Sequence, residues 1–338
     1  MCSMQFRSKY LVAGLGLAFF IAGCERDLTP DGPSLSDLYG TFKVKTALES
    51  SRAQVDFSAG QSVYFTAETS IATDFVLEIK GRTSGAVKRI TGKSRTLDVS
   101  NALWQGETSQ FPTFQTEVCD VQLTFPGYSD TLTTEVTVTG KRVVEATILD
   151  DFEGGISPSW TKFIQSGANM QFNIQTAPPL AEGSKYFRLG GTVGWDWLIG
   201  MYEMPKANMN GGAGFQLSND AEKVFFNGVF RQMAGLDNAI ILLQLREDDN
   251  GDGTYSEGSE DLWAVEIRPE SAWELMSFKY SDLVTLVNGA VSAAIGNGLH
   301  EPEKLHRLSI LFLANPSSGY AQCDADMLAF TENAPLAL

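Results

Sequence analysis

Apolar and polar positions alternate in short bursts from residue 38 onward. Thr41-Phe-Lys-Val-Lys, Ser62-Val-Tyr-Phe-Thr-Ala, Phe75-Val-Leu-Glu-Ile-Lys, Val118-Cys-Asp-Val-Gln-Leu-Thr-Phe and Thr134-Glu-Val-Thr-Val-Thr follow a period of two and favour β-branched and aromatic residues. Half-buried strands read this way. Gly60-Gln61, Gly81, Gly92 and Pro126-Gly127 punctuate them, and no helical period is sustained here. About seven short strands in about 105 residues predict an antiparallel β-sandwich over residues 38–145.

The pattern changes character between Val144 and Leu149. Beyond it lie Lys223-Val-Phe-Phe-Asn-Gly-Val-Phe, Ile240-Ile-Leu-Leu-Gln-Leu-Arg, Leu262-Trp-Ala-Val-Glu-Ile, Leu308-Ser-Ile-Leu-Phe-Leu and a last strand, Asp326-Met-Leu-Ala-Phe-Thr. A second β-sandwich is predicted over residues 149–332, which makes the chain all-β with two sandwich domains.

The N-terminus follows another rule. Arg7 and Lys9 precede an apolar run, Leu11 to Gly23, that ends at Cys24. As a helix that run would span only about 20 Å of a hydrocarbon layer roughly 30 Å thick. A basic start, a short apolar middle and small residues before a cut describe a secretory signal over residues 1–23. Ile21-Ala-Gly-Cys24 resembles the bacterial lipobox, which implies lipidation of Cys24. Buried acyl chain contributes about 0.8 kcal/mol per methylene, so a multi-chain anchor would hold the protein on a membrane. The alternative is an ordinary cleaved signal. Residues 24–37 are polar and rich in turn formers, a flexible tether. Their acidity resembles the surface-export signal of lipoproteins in the Bacteroidetes. The expected location is the outer membrane or cell surface, outside the cytoplasm.

Charge narrows the partners. The chain carries 25 Lys and Arg against 41 Asp and Glu, a net −16, and loses two more positive charges if Arg7 and Lys9 are removed. An acidic surface argues against nucleic acid and anionic lipid headgroups. With 43% apolar residues it can build true cores. Besides Cys2 and Cys24, only Cys119 and Cys323 remain, and no CxxC pair exists. Two buried thiols are favoured over a disulfide between two domains.

Both domains also carry resemblances. Phe57-Ser-Ala-Gly-Gln-Ser-Val-Tyr-Phe is similar to the opening strands of bacterial Ig-like and PKD-like modules. Asp150-Asp-Phe-Glu, Trp273-Glu-Leu-Met-Ser-Phe-Lys-Tyr-Ser-Asp-Leu and Ser318-Gly-Tyr-Ala-Gln-Cys-Asp-Ala-Asp-Met-Leu-Ala-Phe, in that order, resemble the galactose-binding-like jelly roll of many carbohydrate-binding modules. That resemblance implies a structural cation between the first and last strands, with Glu153 and Asp326 as the matching carboxylates. The family's last strand carries Asp followed by Asn or Asp, and Asp326-Met-Leu departs from it at the second place.

The sharpest local motif needs no family. Asp248, Asn250 and Asp252 alternate ahead of Gly253, as in the first half of an EF-hand loop, with Thr254, Glu260 and Asp261 as further oxygens. The twelfth position is Ser259, and strands rather than helices flank the loop. It is either a calcium-binding hairpin loop or a solvated acidic turn. The crowding of carboxylates favours calcium.

Aromatics supply the candidate ligand site. Trp195-Asp196-Trp197 lies in a Gly-rich stretch, with Trp160 and Tyr202 of similar standing. Indole faces stack on sugar rings and a neighbouring Asp accepts hydroxyl protons. Core packing also explains tryptophans two apart on a strand. No GxSxG, HExxH or P-loop occurs, and the only histidines are His300 and His306. The expectation is non-catalytic binding of a neutral glycan. The alternatives are an adhesin or assembly subunit that binds protein at the cell surface, and a glycoside-active accessory enzyme.

Overall fold

The computed structural model describes residues 40–192, 197–314 and 319–337, with side chains throughout except at 197–199 and 314. Cys24, the signal and the tether lie outside the described residues. The fold is all-β.

The first sandwich holds β1 (Val44–Ser50), β2 (Gln54–Asp56), β3 (Val63–Gly81), β4 (Val87–Leu97), β5 (Leu103–Trp104), β6 (Val118–Thr124) and β7 (Thr131–Gly140). They form one sheet in the order β1-β3-β6-β7-β2, with β4 and β5 also on β3. All its pairings are antiparallel except β2 with β7. The two strands predicted from Ser62 and Phe75 are one continuous strand, β3. The linking residues Glu68 to Asp74 include no Gly or Pro to break it. The irregularity appears instead as a register shift against β4 between Glu68 and Thr73. Alternation along β3 sends Val63, Phe65, Phe75, Leu77 and Ile79 into a core with Trp104, Val121 and Leu123.

The second sandwich holds β8 (Thr147–Asp150), β9 (Thr161–Ile164), β10 (Gln171–Gln175), β11 (Tyr186–Thr192), β12 (Trp197–Pro205), β13 (Val224–Gln232), β14 (Ala239–Glu247), β15 (Leu262–Ile267), β16 (Glu274–Lys279), β17 (Thr285–Val287), β18 (Ala290–Ser292), β19 (Leu305–Ala314) and β20 (Tyr320–Glu332). One layer runs β10-β11-β20-β13-β16, with β8 on β20, and the facing layer runs β15-β14-β19-β12-β9. Between them lies a core that includes Phe187, Leu189, Phe226, Phe230, Ile241, Leu243, Leu245, Ile310 and Phe312. A hairpin of β17 and β18 is tied to β15 at its base, where Ala264 and Val284 exchange backbone hydrogen bonds.

Both sandwiches belong to one compact unit, Phe42–Leu338. Residues 181–183 join them. Thr113 N donates to Ala181 O at 2.9 Å, Gln115 Nε2 donates to Gly183 O at 2.7 Å, and Lys141 pairs with Glu182. Cys119 and Cys323 are free, buried thiols, and burial raises both pKa values.

Candidate ligand-binding cleft and acidic clusters

The five-stranded layer has one face in the core and one face outward. On β14, Ile241, Leu243 and Leu245 point inward, so Ile240, Leu242, Gln244 and Arg246 point outward. Register fixes their neighbours. Leu242 faces Leu311 of β19, which faces Met201 of β12, which faces Phe163 of β9. Two residues along, Gln244 faces Ser309, which faces Glu203, which faces Thr161. Next, Arg246 faces Arg307 and Leu262. An apolar row and a polar row thus run side by side across the sheet, neighbours being about 5 Å apart.

The polar row is tied into one network. Arg246 donates through Nη2 to Gln244 Oε1 at 2.8 Å and reaches Glu203 Oε1 at 3.3 Å through Nη1. Ser309 Oγ donates to Glu203 Oε1 at 2.7 Å and accepts from Arg246 Nη1. The Arg246 side chain is only 16% exposed, and burial lowers its pKa. The loop between β14 and β15 brings Tyr255 over this network, its ring 5.8 Å from the Arg246 guanidinium. Glu203, Gln244, Arg246 and Tyr255 line a cleft of about 340 Å³ together with Glu257 and Arg307. Planar Arg, Gln and carboxylate groups in fixed orientation beside an aromatic ring suit a ligand bearing many hydroxyls.

The aromatics expected to bind ligand fare differently. Trp160 and Tyr202 are core residues, 4% and 0% exposed, stacked on each other at 4.3 Å and 4°. They offer no face to a sugar, because the inward phase of β12 carries Tyr202 under Phe187. Trp195 and Asp196 lie outside the described residues, and of Trp197 only the backbone, at the start of β12, is described. Sequence reading missed Tyr255 and Arg246. The signal for Arg246 was available: counting by twos from Ile240 puts it on the outward face.

The acidic loop also rearranges expectation. Asp248 accepts amide protons from Gly251, Asp252 and Gly253, at 2.8, 3.0 and 2.9 Å. Asn250 Oδ1 accepts from Asp252 N, and Asp252 Oδ1 accepts from Thr254 N and Oγ1. Glu260 accepts from Asn250 N and Ser256 N. These residues build the turn itself. Of the oxygens expected to gather there, Asp261 does converge, with two carboxylates of the neighbouring phase: oxygens of Glu247, Asp249 and Asp261 lie within 4.8 Å of one another. Burial pushes the Glu247 carboxyl up to about 7 and raises that of Asp249 as well.

Glu153 and Asp326 are each satisfied by backbone. Glu153 accepts from Ser184 N, Ser184 Oγ and Lys185 N, each at 2.7 Å. Asp326 accepts from Glu182 N at 3.1 Å and Met327 N at 2.9 Å, and burial raises its pKa strongly. Among the described residues the two belong to no group of three or more metal-ligating side chains. On the outer face of the six-stranded layer, buried Asp324 is clamped by Arg188 Nε at 2.7 Å and Arg231 Nε at 3.0 Å, and Arg231 lies 4.5 Å over the Trp273 ring.

No family model matches the chain, and no curated protein matches it. Solved structures similar to it include the family 11 carbohydrate-binding module of the cellulosomal cellulase Lic26A-Cel5E of Clostridium thermocellum. That match has 14% identity and a TM-score of 0.38, over 56% of this chain and 96% of that one. A structure of carbohydrate-binding modules from the β-sandwich superfamily matches at 12% identity and a TM-score of 0.38, over 86% of this chain and 98% of that one. The CBM22-1 xylan-binding domain of Paenibacillus barcinonensis Xyn10C matches at 16% identity and 0.31, over 56% and 96%. At these values the reading of function rests on the residues of this chain.

Proposed function

We propose that this chain captures a neutral polysaccharide, without catalysis, on the outward face of the five-stranded layer. The observation that carries the reading is the Arg246–Gln244–Glu203–Ser309 network held rigid beneath Tyr255. Such groups donate to and accept from sugar hydroxyls without having to be ordered on binding, which lowers the entropic cost. The adjacent row of Phe163, Met201, Leu311 and Leu242 gives the apolar surface that sugar ring faces need. Two arginines and two glutamates around the cleft, on a chain of net charge −16, favour a neutral ligand over a polyanion.

The lipobox at Cys24 supports a tether to an extracytoplasmic membrane surface, where many copies bind one polymer with avidity. Cys24→Ser should move the protein from the membrane fraction to the soluble one; retention would remove the tether. For the cleft, a glycan array followed by calorimetry is the test. Arg246→Ala and Tyr255→Ala should each weaken the best ligand at least about tenfold, since truncating a binding hot spot costs about 2 kcal/mol. Undiminished binding in both variants, or no neutral glycan bound by the wild type, would sink the reading.

The same apolar row supports a second one. Phe163 is 43% exposed on the edge strand β9, and such a face also suits a protein partner. Under that reading Phe163→Ala abolishes capture of the partner while Arg246→Ala leaves it intact.

A further inference from the structure

Glu247 ends β14 in its inward phase, following Ile241, Leu243 and Leu245. A carboxylate is therefore driven into the core by strand geometry alone. It is 0% exposed. One oxygen, Oε1, accepts from Tyr280 OH and from Glu301 N, each at 2.8 Å. The other, Oε2, is buried and has no partner. The Trp263 indole N–H approaches this carboxylate outside hydrogen-bond geometry.

Asp249 and Asp261 bring two more carboxylates to the same point. Asp249 Oδ2 accepts from Asp261 N at 3.0 Å and Asn297 N at 3.3 Å, while its Oδ1 is buried and unpartnered. Asp261, 0% exposed, accepts from Gly296 N at 2.8 Å and Gly298 N at 2.7 Å. Among the described residues none of the three forms an ion pair. Lys304 Nζ donates to the Asp249 backbone carbonyl and pairs with Glu301. Three carboxylates thus meet in a largely buried space with two orphaned oxygens and no side-chain cation of their own. Burying such charge uncompensated is strongly unfavourable.

We propose that Glu247, Asp249 and Asp261 bind one calcium ion. Two oxygens bound to the same calcium at 2.3–2.6 Å are at most about 5 Å apart, and the observed limit of 4.8 Å lies within that. An all-oxygen, carboxylate-rich set selects a hard cation over zinc or copper. The backbone also leaves room: a Cβ on Gly296 would stand 1.9 Å from Asp249 Oδ2 and 3.0 Å from Asp261 Cγ. The ion would close the loop from Asp249 to Asp261 at its base, joining it to the end of β14. Tyr255 is carried on that loop, but the ion-binding proposal does not depend on the cleft binding anything.

Terbium, a calcium analogue that indoles sensitise, supplies the test, because Trp263 lies beside Glu247. The full chain, stripped with chelator, should give saturable terbium emission on indole excitation, and calcium should displace it. Glu247→Gln and Asp249→Asn should lose the saturable signal while keeping the wild-type circular dichroism spectrum. Asp252→Asn, in the exposed part of the turn, should retain it. If either cluster variant fails to fold, Gly296→Ala is read instead and should weaken terbium binding. No saturable emission from the wild type, or a signal lost in Asp252→Asn and kept in Glu247→Gln, would overturn the assignment.

Discussion

Two clusters of buried carboxylates in the second sandwich are treated in opposite ways. Asp324, 1% exposed, sits between Arg188 and Arg231 and commits its oxygens to their guanidinium groups. Tyr186 OH accepts from both arginines in turn. That cluster is complete within the chain. Glu247, Asp249 and Asp261 have amide and phenol donors but no basic side chain, and two of their oxygens have no hydrogen-bond partner. The contrast is one of counter-charge: the chain places two guanidinium groups on Asp324 and no basic side chain on the three converging carboxylates.

The largest effect should come from breaking the complete cluster. Asp324→Ala leaves the nearly buried Arg231 without its charge partner, and removing one member of a buried pair costs about 3–5 kcal/mol. Urea unfolding measures it; a loss below about 1 kcal/mol would show that Tyr186 and Trp273 suffice to hold the guanidinium. The incomplete cluster should behave with the opposite sign. In chelator, Glu247→Gln should be neutral or stabilising, because it removes a buried charge. In calcium at a hundred times Kd the wild type should gain about 2.7 kcal/mol and the variant nothing, read as a change in Tm. Equal calcium responses in both proteins would erase the distinction.

Gly296→Ala sharpens the comparison from the backbone side. Its added methyl collides with Asp249, and overpacking of this kind costs about 1–3 kcal/mol. Stability in chelator and calcium affinity should fall together.

Another buried acid, Asp150, gives the smallest effect. Asp150 accepts from Phe152 N at 2.9 Å and from Tyr202 OH at 3.4 Å, yet burial raises it from 3.8 to about 6. Between those values the folded chain keeps the proton that the unfolded chain has released. The contribution of Asp150 to stability therefore falls as pH rises from 3.8 to about 6 and is level above. The slope over that window is at most about 1.4 kcal/mol for each pH unit. Asp150→Asn should flatten that part of the profile. An unaltered slope, measured by urea unfolding at pH 4, 5 and 6 (about one pH unit apart), would place the dependence elsewhere.

Much of the architecture was legible because strands write themselves as alternation. β1, β3, β6 and β7 follow from it, with β3 split in two where polar Thr and Ser residues concealed an unbroken strand; β2 and β5 are too short to show alternation, and the largely exposed β4 runs through Gly92. The candidate cleft was half legible. Arg246 and Gln244 stood in a recognised strand, but the pairing with Ser309 and Glu203 comes from strands far apart in sequence. Tyr255 was hidden in a loop read only for its acids. In the same loop the regular Asp248–Asn250–Asp252 spacing places side-chain oxygens that accept from the loop's own backbone amides.

The sequence by itself determined the all-β class, the acidity, and the inward phase that carries Glu247 out of water, since a period of two is a local property of the chain. Only the tertiary structure decided that Trp160 and Tyr202 are sealed in the core, that Asp261 and Gly296 meet Asp249, and that two arginines enclose Asp324. Those facts depend on which strands become neighbours and in what register, and register is settled by packing over distances that no local pattern records.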